Sequence, residues 1–327
     1  MSAADTTAGA TGTAAGATGT ARVAGAGGAT AGAADAERNW VRMVSSAGPG
    51  ASRSLRLVRS ELGMVFRRRR NQVALAVLAA MPIIIAVAVR VSSGTGRPGR
   101  GDGGGPPLFD QITHNGIFVA FSALVAVVPF FLPLAVSVVS GDGVAGESST
   151  GTLRYLLTVP VSRTRLLAVK YAGVLSYCLA GTLVVAMTGT VIGLALFGSG
   201  SAALLSGTPV GLGGALWRLL LVSLYVSACM AALGALGLLV SVLVEAPVAA
   251  IATTAGIAIA SEILDTVPQI SAIHPYLPSH YWVAFGDLLR SPISTSAVGP
   301  GLVSAAVYAA LFLTAAWARF GSKDVTS

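Results

Sequence analysis

Apolar residues gather into six long runs, at 72–89, 116–140, 171–197, 217–244, 247–264 and 298–317, separated by polar, Gly-rich or Pro-rich segments. As helices rising about 1.5 Å per residue, such runs cross the ~30 Å hydrocarbon core of a bilayer. Only Glu245 and Ala246 separate the fourth run from the fifth. That spacing predicts a tight helical hairpin, with Pro247 in the first turn of the second helix, where its missing N–H has no partner to lose.

Ahead of the first run, Leu55, Val58, Leu62, Val65 and Phe66 recur at helical spacing, while Arg53, Arg56 and Arg59 take the other side. The pattern predicts an amphipathic basic helix over 51–71, lying among lipid headgroups as an interfacial elbow before the first span. A solvated basic helix has the same periodicity. The four arginines 67–70 and the apolar run that follows them favour the membrane surface. Residues 1–50 are almost entirely Ala, Gly, Thr and Ser, with GATGTAA followed by GATGTAR at residues 9–22. They lack the apolar surface needed to offset ordering entropy and read as a disordered tail. They do not read as a secretory signal, because no basic start precedes a Leu-rich stretch. Arg69-Arg70-Asn71 resembles a twin-arginine export signal, but the later apolar runs favour a retained first span.

Composition agrees with this organisation. Of 327 residues 54% are hydrophobic and 10% charged, with a mean hydropathy of +0.77, against about 25% charged in ordinary soluble proteins. The chain cannot cover a water-soluble globule. Its net charge of +8 would suggest nucleic acid in a soluble protein; here it reports sidedness. With the N-terminus inside, Arg53, Arg56, Arg59, residues 67–70, Arg154, Arg163, Arg165, Lys170, Arg319 and Lys323 give 13 inner positive charges. Arg90, Arg97, Arg100, Arg218 and Arg290 give five outer ones. The positive-inside rule then puts both termini in the cytoplasm, as six spans require. Cys178 and Cys229 lie in apolar runs and indicate neither a disulfide framework nor a redox motif.

The expected fold is an all-α integral membrane protein in the cytoplasmic membrane, with a six-span domain over 72–320 and a cytoplasmic tail at 321–327. Its second connection, 141–170, is cytoplasmic and its fifth, 265–297, is outer. The latter carries Pro268, Pro275, Tyr276, Pro278, Tyr281, Trp282 and Phe285, which suits a short re-entrant or interfacial element over the outer mouth. Tyr276, Tyr281 and Trp282 read as an interface belt.

Loop 141–170 holds the strongest local signals. Gly141, Gly143 and Gly146 match GxGxxG, but an apolar helix precedes them rather than a sheet strand. They also approximate a P-loop in which Glu147 takes the place of the lysine, and a carboxylate there repels phosphate. The chain is therefore not expected to bind ATP by itself. Glu147, Ser148, Ser149 and Thr150 suggest a capping cluster before a short amphipathic helix with Leu153, Leu156 and Leu157 at i, i+3, i+4, ended by Pro160. Without further context this is also the pattern of an interfacial helix anchored by basic residues.

These residues resemble the E-x3-G-T-L-x2-L-L-x2-P-x-S-R-x6-K signature of type-2 ATP-binding-cassette (ABC) permeases, carried here by Glu147, Gly151, Thr152, Leu153, Leu156, Leu157, Pro160, Ser162, Arg163 and Lys170. The resemblance extends over about residues 51–320. It implies an efflux permease subunit that is not itself an enzyme. ATP and Mg would be held by a separate ABC ATPase subunit docked on a coupling helix in this loop, and a second permease copy or paralogue would complete the pore. Glu147, Gly151, Thr152, Leu153, Leu156, Leu157, Pro160 and Arg163 are then the expected coupling residues.

Other residues carry weaker signals. Glu262 and Asp265 lie one turn apart near the outer end of the fifth span; a substrate path uses such carboxylates, as does a solvated outer-interface pair bridged to Arg218. Arg218 reads as a snorkelling anchor. His114, His274 and His280 are the three histidines, and a His-x5-His pair without cysteine is a poor metal signal, so surface roles and no metal are expected. Gly189 and Gly193 form a GxxxG suited to close helix packing. Besides the permease, two classes compete: a non-transporting membrane scaffold or immunity subunit, and an intramembrane hydrolase, for which no GxSxG is present. Membrane lipid is an expected partner and nucleic acid is not.

Overall fold

The computed structural model describes residues 50–94, 115–149, 163–198, 202–203 and 209–322. By internal contacts the chain divides into residues 1–53 and 54–327, and apart from the opening residues of the first helix everything described lies in the second unit. The helices are α1 (Gly50–Arg67), α2 (Arg69–Gly94), α3 (Phe118–Val127), α4 (Phe131–Ser149), α5 (Arg163–Phe197), α6 (Leu212–Leu243), α7 (Pro247–Asp265) and α8 (Val298–Ser322). Two 3-10 segments, Pro268–Tyr276 and Ala284–Leu289, fill the connection from α7 to α8. A two-residue antiparallel ladder pairs Ala202 with Val210 and Ala203 with Pro209 between α5 and α6.

Five helices, α2, α5, α6, α7 and α8, are long and apolar enough to cross a membrane. The sixth apolar run is not one straight helix. α3 and α4 meet at a 59° bend over residues 128–130, where Pro129 supplies no N–H to continue the helical ladder. Counted as one broken span the pair brings the total to six, and the architecture is consistent with an all-α multi-pass membrane protein.

α6 is the most buried of these helices, packed by α4, α5, α7 and α8. Ser223 and Ser227 turn their hydroxyls back to carbonyls one turn earlier, Leu219 and Ser223, which satisfies polar groups that lipid or core would otherwise strand. The Ser227 hydroxyl also meets that of Thr182 on α5 at 2.7 Å. Large apolar side chains on α2 and α8, including Ile84, Val87, Val303 and Val307, point outward. In water such faces would be unstable; hydrocarbon is their natural solvent.

The GxxxG of α5 packs inside the same chain. A side-chain carbon on Gly189 would stand 2.6 Å from the Ala120 Cα atom, and one on Gly193 would collide with the Gly116 backbone. These two glycines let α5 lie against the start of α3 at backbone distance. α5 ends at Phe197, followed by Gly198 at a φ of 74°, the left-handed conformation that favours glycine.

Candidate functional site

The bundle has two chemically distinct ends. One, the basic end, gathers the C-terminus of α1 and α4 and the N-terminus of α2 and α5. The joint between α1 and α2 is a bend at Arg68. The Asn71 amide donates to the Val65 carbonyl at 2.7 Å and the Gln72 amide to the Phe66 carbonyl at 3.1 Å, so the second helix caps the free carbonyls of the first.

Two charge clusters pin this joint to the bundle. Arg68 and Arg70 both pair with Asp142 of α4. Lys170 of α5 donates to Glu61 of α1 at 3.1 Å and also pairs with Glu147 in the last turns of α4. The Lys170 side chain is 3% exposed and the two carboxylates 11% and 8%. Three acids thus meet three bases. A cavity of about 20 Å³ lined by Glu61, Arg68, Arg70, Asn71, Asp142 and Lys170 has room for roughly one water. Nearby, the Ser241 hydroxyl of α6 accepts from the Val144 and Ala145 N–H groups at 2.9 and 2.8 Å.

This end corrects the reading of residues 141–149 and 163–170 as parts of a loop, the stretch between them lying outside the described residues. α4 runs on through Ser149, and α5 starts at Arg163. Gly141, Gly143 and Gly146 are therefore helical, and Gly141 serves close packing: a side-chain carbon there would stand 2.8 Å from the Ile251 nitrogen of α7. Glu147 lies at the C-terminal end of α4, where the helix dipole disfavours a carboxylate and Lys170 offsets it. Its side chain is buried. Gly151, Thr152, Leu153, Leu156, Leu157 and Pro160 lie outside the described residues, and Arg163 is the first residue of α5.

At the opposite end the connection from α7 to α8 is a packed strap. Trp282, Phe285 and Leu289 are buried in the core. Trp282, at 2% exposure, is no interface-belt residue, whereas Tyr276 is 75% exposed. The Tyr225 hydroxyl of α6 donates to the Tyr281 carbonyl at 2.6 Å, and the Tyr308 hydroxyl of α8 donates to that of Tyr276. The Arg218 guanidinium donates to the Leu288 and Arg290 carbonyls at 2.6 and 2.7 Å, closing the second 3-10 segment. Glu262 is partly buried on α7, and Asp265 ends that helix among His274 and His280.

These features define the class: a helical, multi-pass membrane protein with a buried ionic cluster at one end and an ordered strap at the other. Residues 110–326 match the family described as "Protein of unknown function (DUF2705)", and the chain belongs to that family. Among curated proteins none matches the chain.

Proposed function

We propose that this chain is the membrane-embedded subunit of an ATP-driven exporter, working by alternating access with ATP and Mg held on a separate ABC ATPase subunit. The observation that carries the reading is the Lys170 cluster, which joins α1, α4 and α5 and whose members Glu147 and Lys170 flank residues 150–162 in the sequence. Those residues bear most of the permease-like signature. Force applied to them would enter α4 and α5 together and reach α1 through Glu61, so displacement would be transmitted rather than absorbed. Coupling then amounts to a difference in contact energy between inward-open and outward-open states.

In this reading the basic end faces the cytoplasm, both termini are cytoplasmic, α1 is the elbow helix, and the strap faces outward. The outward-pointing aliphatic faces meet lipid and a second permease copy or paralogue. The test is purification in mild detergent followed by identification of bound subunits and ATPase assay in reconstituted vesicles. A cassette ATPase should copurify, and Glu147→Ala with Arg163→Ala should lower stimulated hydrolysis without lowering expression. Absence of any ATPase partner, or unchanged stimulation in the double variant, overturns the proposal.

A further inference from the structure

We propose that Asp265, His274 and His280 form a binding site for one divalent transition-metal cation of the zinc class, which staples the strap to the end of α7. The three residues come from three different local structures: the last residue of α7, the first 3-10 segment, and the turn that follows it. Their ligand atoms nevertheless all lie within 4.8 Å of one another. The His280 Nδ1 atom is 2.7 Å from Asp265 Oδ1, and His274 Nδ1 is 3.8 Å from the same oxygen. Donors around a tetrahedral zinc, each ~2.0–2.1 Å from the metal, stand roughly 3.3 Å apart. The two measured separations bracket that value, so small side-chain rotations suffice to admit the ion.

The hydrogen bonding of His274 selects the correct nitrogen. Its Nε2 atom lies 3.1 Å from the Val267 carbonyl oxygen. A carbonyl only accepts, so Nε2 carries the hydrogen, and in the neutral ring the lone pair is on Nδ1, facing Asp265. An imidazole whose far N–H is fixed by a backbone carbonyl is the arrangement that orients metal-bound histidines. The side chains are 16%, 24% and 32% exposed for His274, Asp265 and His280, sheltered yet open to solution. Two imidazoles and one carboxylate leave a fourth position for water and match zinc, cobalt or nickel better than magnesium or calcium, which prefer all-oxygen shells.

The experiment uses the full chain purified in detergent with a histidine-free affinity tag, stripped with chelator and titrated with Zn²⁺ and, separately, Co²⁺. One equivalent should bind per chain and raise the unfolding temperature, Co²⁺ should show the visible absorption of tetrahedral nitrogen and oxygen ligation, and excess Mg²⁺ should not displace it. Asp265→Ala and His280→Ala should each weaken binding by about 100-fold or more, at least the loss seen on removing an outer-shell partner. Hydrogen exchange in residues 268–280 should slow on metal addition and stay unchanged in the variants. Substoichiometric binding, or binding equal in wild type and variants, overturns the site. Should either variant fail to fold, the wild-type Co²⁺ spectrum decides: tetrahedral bands support the site, and the spectrum of the hydrated ion overturns it. Failure here leaves the exporter reading standing, because that reading rests on the opposite end of the bundle.

Discussion

Lys170 and Glu61 lie 109 residues apart in the chain and 3.1 Å apart in space. The same ammonium holds Glu147, so one cation joins three helices. A buried charge that loses its partner is more destabilising than a pair that was never built.

Lys170→Met should therefore lower stability by about 3–5 kcal/mol, since it strands two buried carboxylates. Adding Glu61→Gln and Glu147→Gln should restore most of the loss. Thermal unfolding in detergent, followed by loss of the monodisperse peak on size exclusion, measures both. Equal stability of Lys170→Met and wild type would mean that the cluster contributes no net stability.

The α3–α5 seam makes a second prediction. Gly193→Val forces a branched side chain into the Gly116 backbone and should destabilise by ~1–3 kcal/mol. Gly256→Ala, on α7 with nothing within 4 Å of its added carbon, should be neutral or stabilising by about 0.5–1 kcal/mol. The same unfolding assay ranks the two, and a reversed order contradicts the packing.

The strap depends on hydroxyl donors from its neighbours. Tyr225→Phe removes the donor to Tyr281 and leaves a carbonyl short of a partner, a loss of about 1–3 kcal/mol if it stays dry. Hydrogen exchange by mass spectrometry should show faster exchange confined to residues 277–290. Acceleration spread evenly over the bundle would instead indicate global destabilisation.

Cys178 and Cys229 are both free and buried, so the wild-type chain should resist maleimide until it is denatured. In that background Thr152→Cys should label only from the cytoplasmic side and Tyr276→Cys, at 75% exposure, only from the other. Labelling of both from one side would refute the proposed orientation.

Much of this arrangement is legible in the sequence, because a helix in lipid must be apolar along its whole length. The positions of α2, α5, α6, α7 and α8 follow the apolar runs, and the hairpin at Glu245 is visible as a two-residue gap. Helix ends are less legible. Polar residues 141–149 look like a loop, yet tertiary ion pairs and the Ser241 hydroxyl hold them on α4. The buried position of Trp282 is hidden because an aromatic in a Pro-rich connection serves a belt or a core equally well. Asp265 joins the histidines only after the strap folds back, so the ligand spacing of nine and then six residues matches no familiar motif.

The kink at Pro129 separates two allegiances. α3 is locked to α5 through small residues, while α4 is fixed to α6 and α7 through Ser241 and Gly141. α4 is tied to α5 as well, through Glu147 and Lys170, so the 59° bend over residues 128–130 is where the pair turns from its packing on α5 to its packing on α6 and α7. Residues 128–130 are thus a corner that both seams share, and Pro129→Ala restores an amide at that corner.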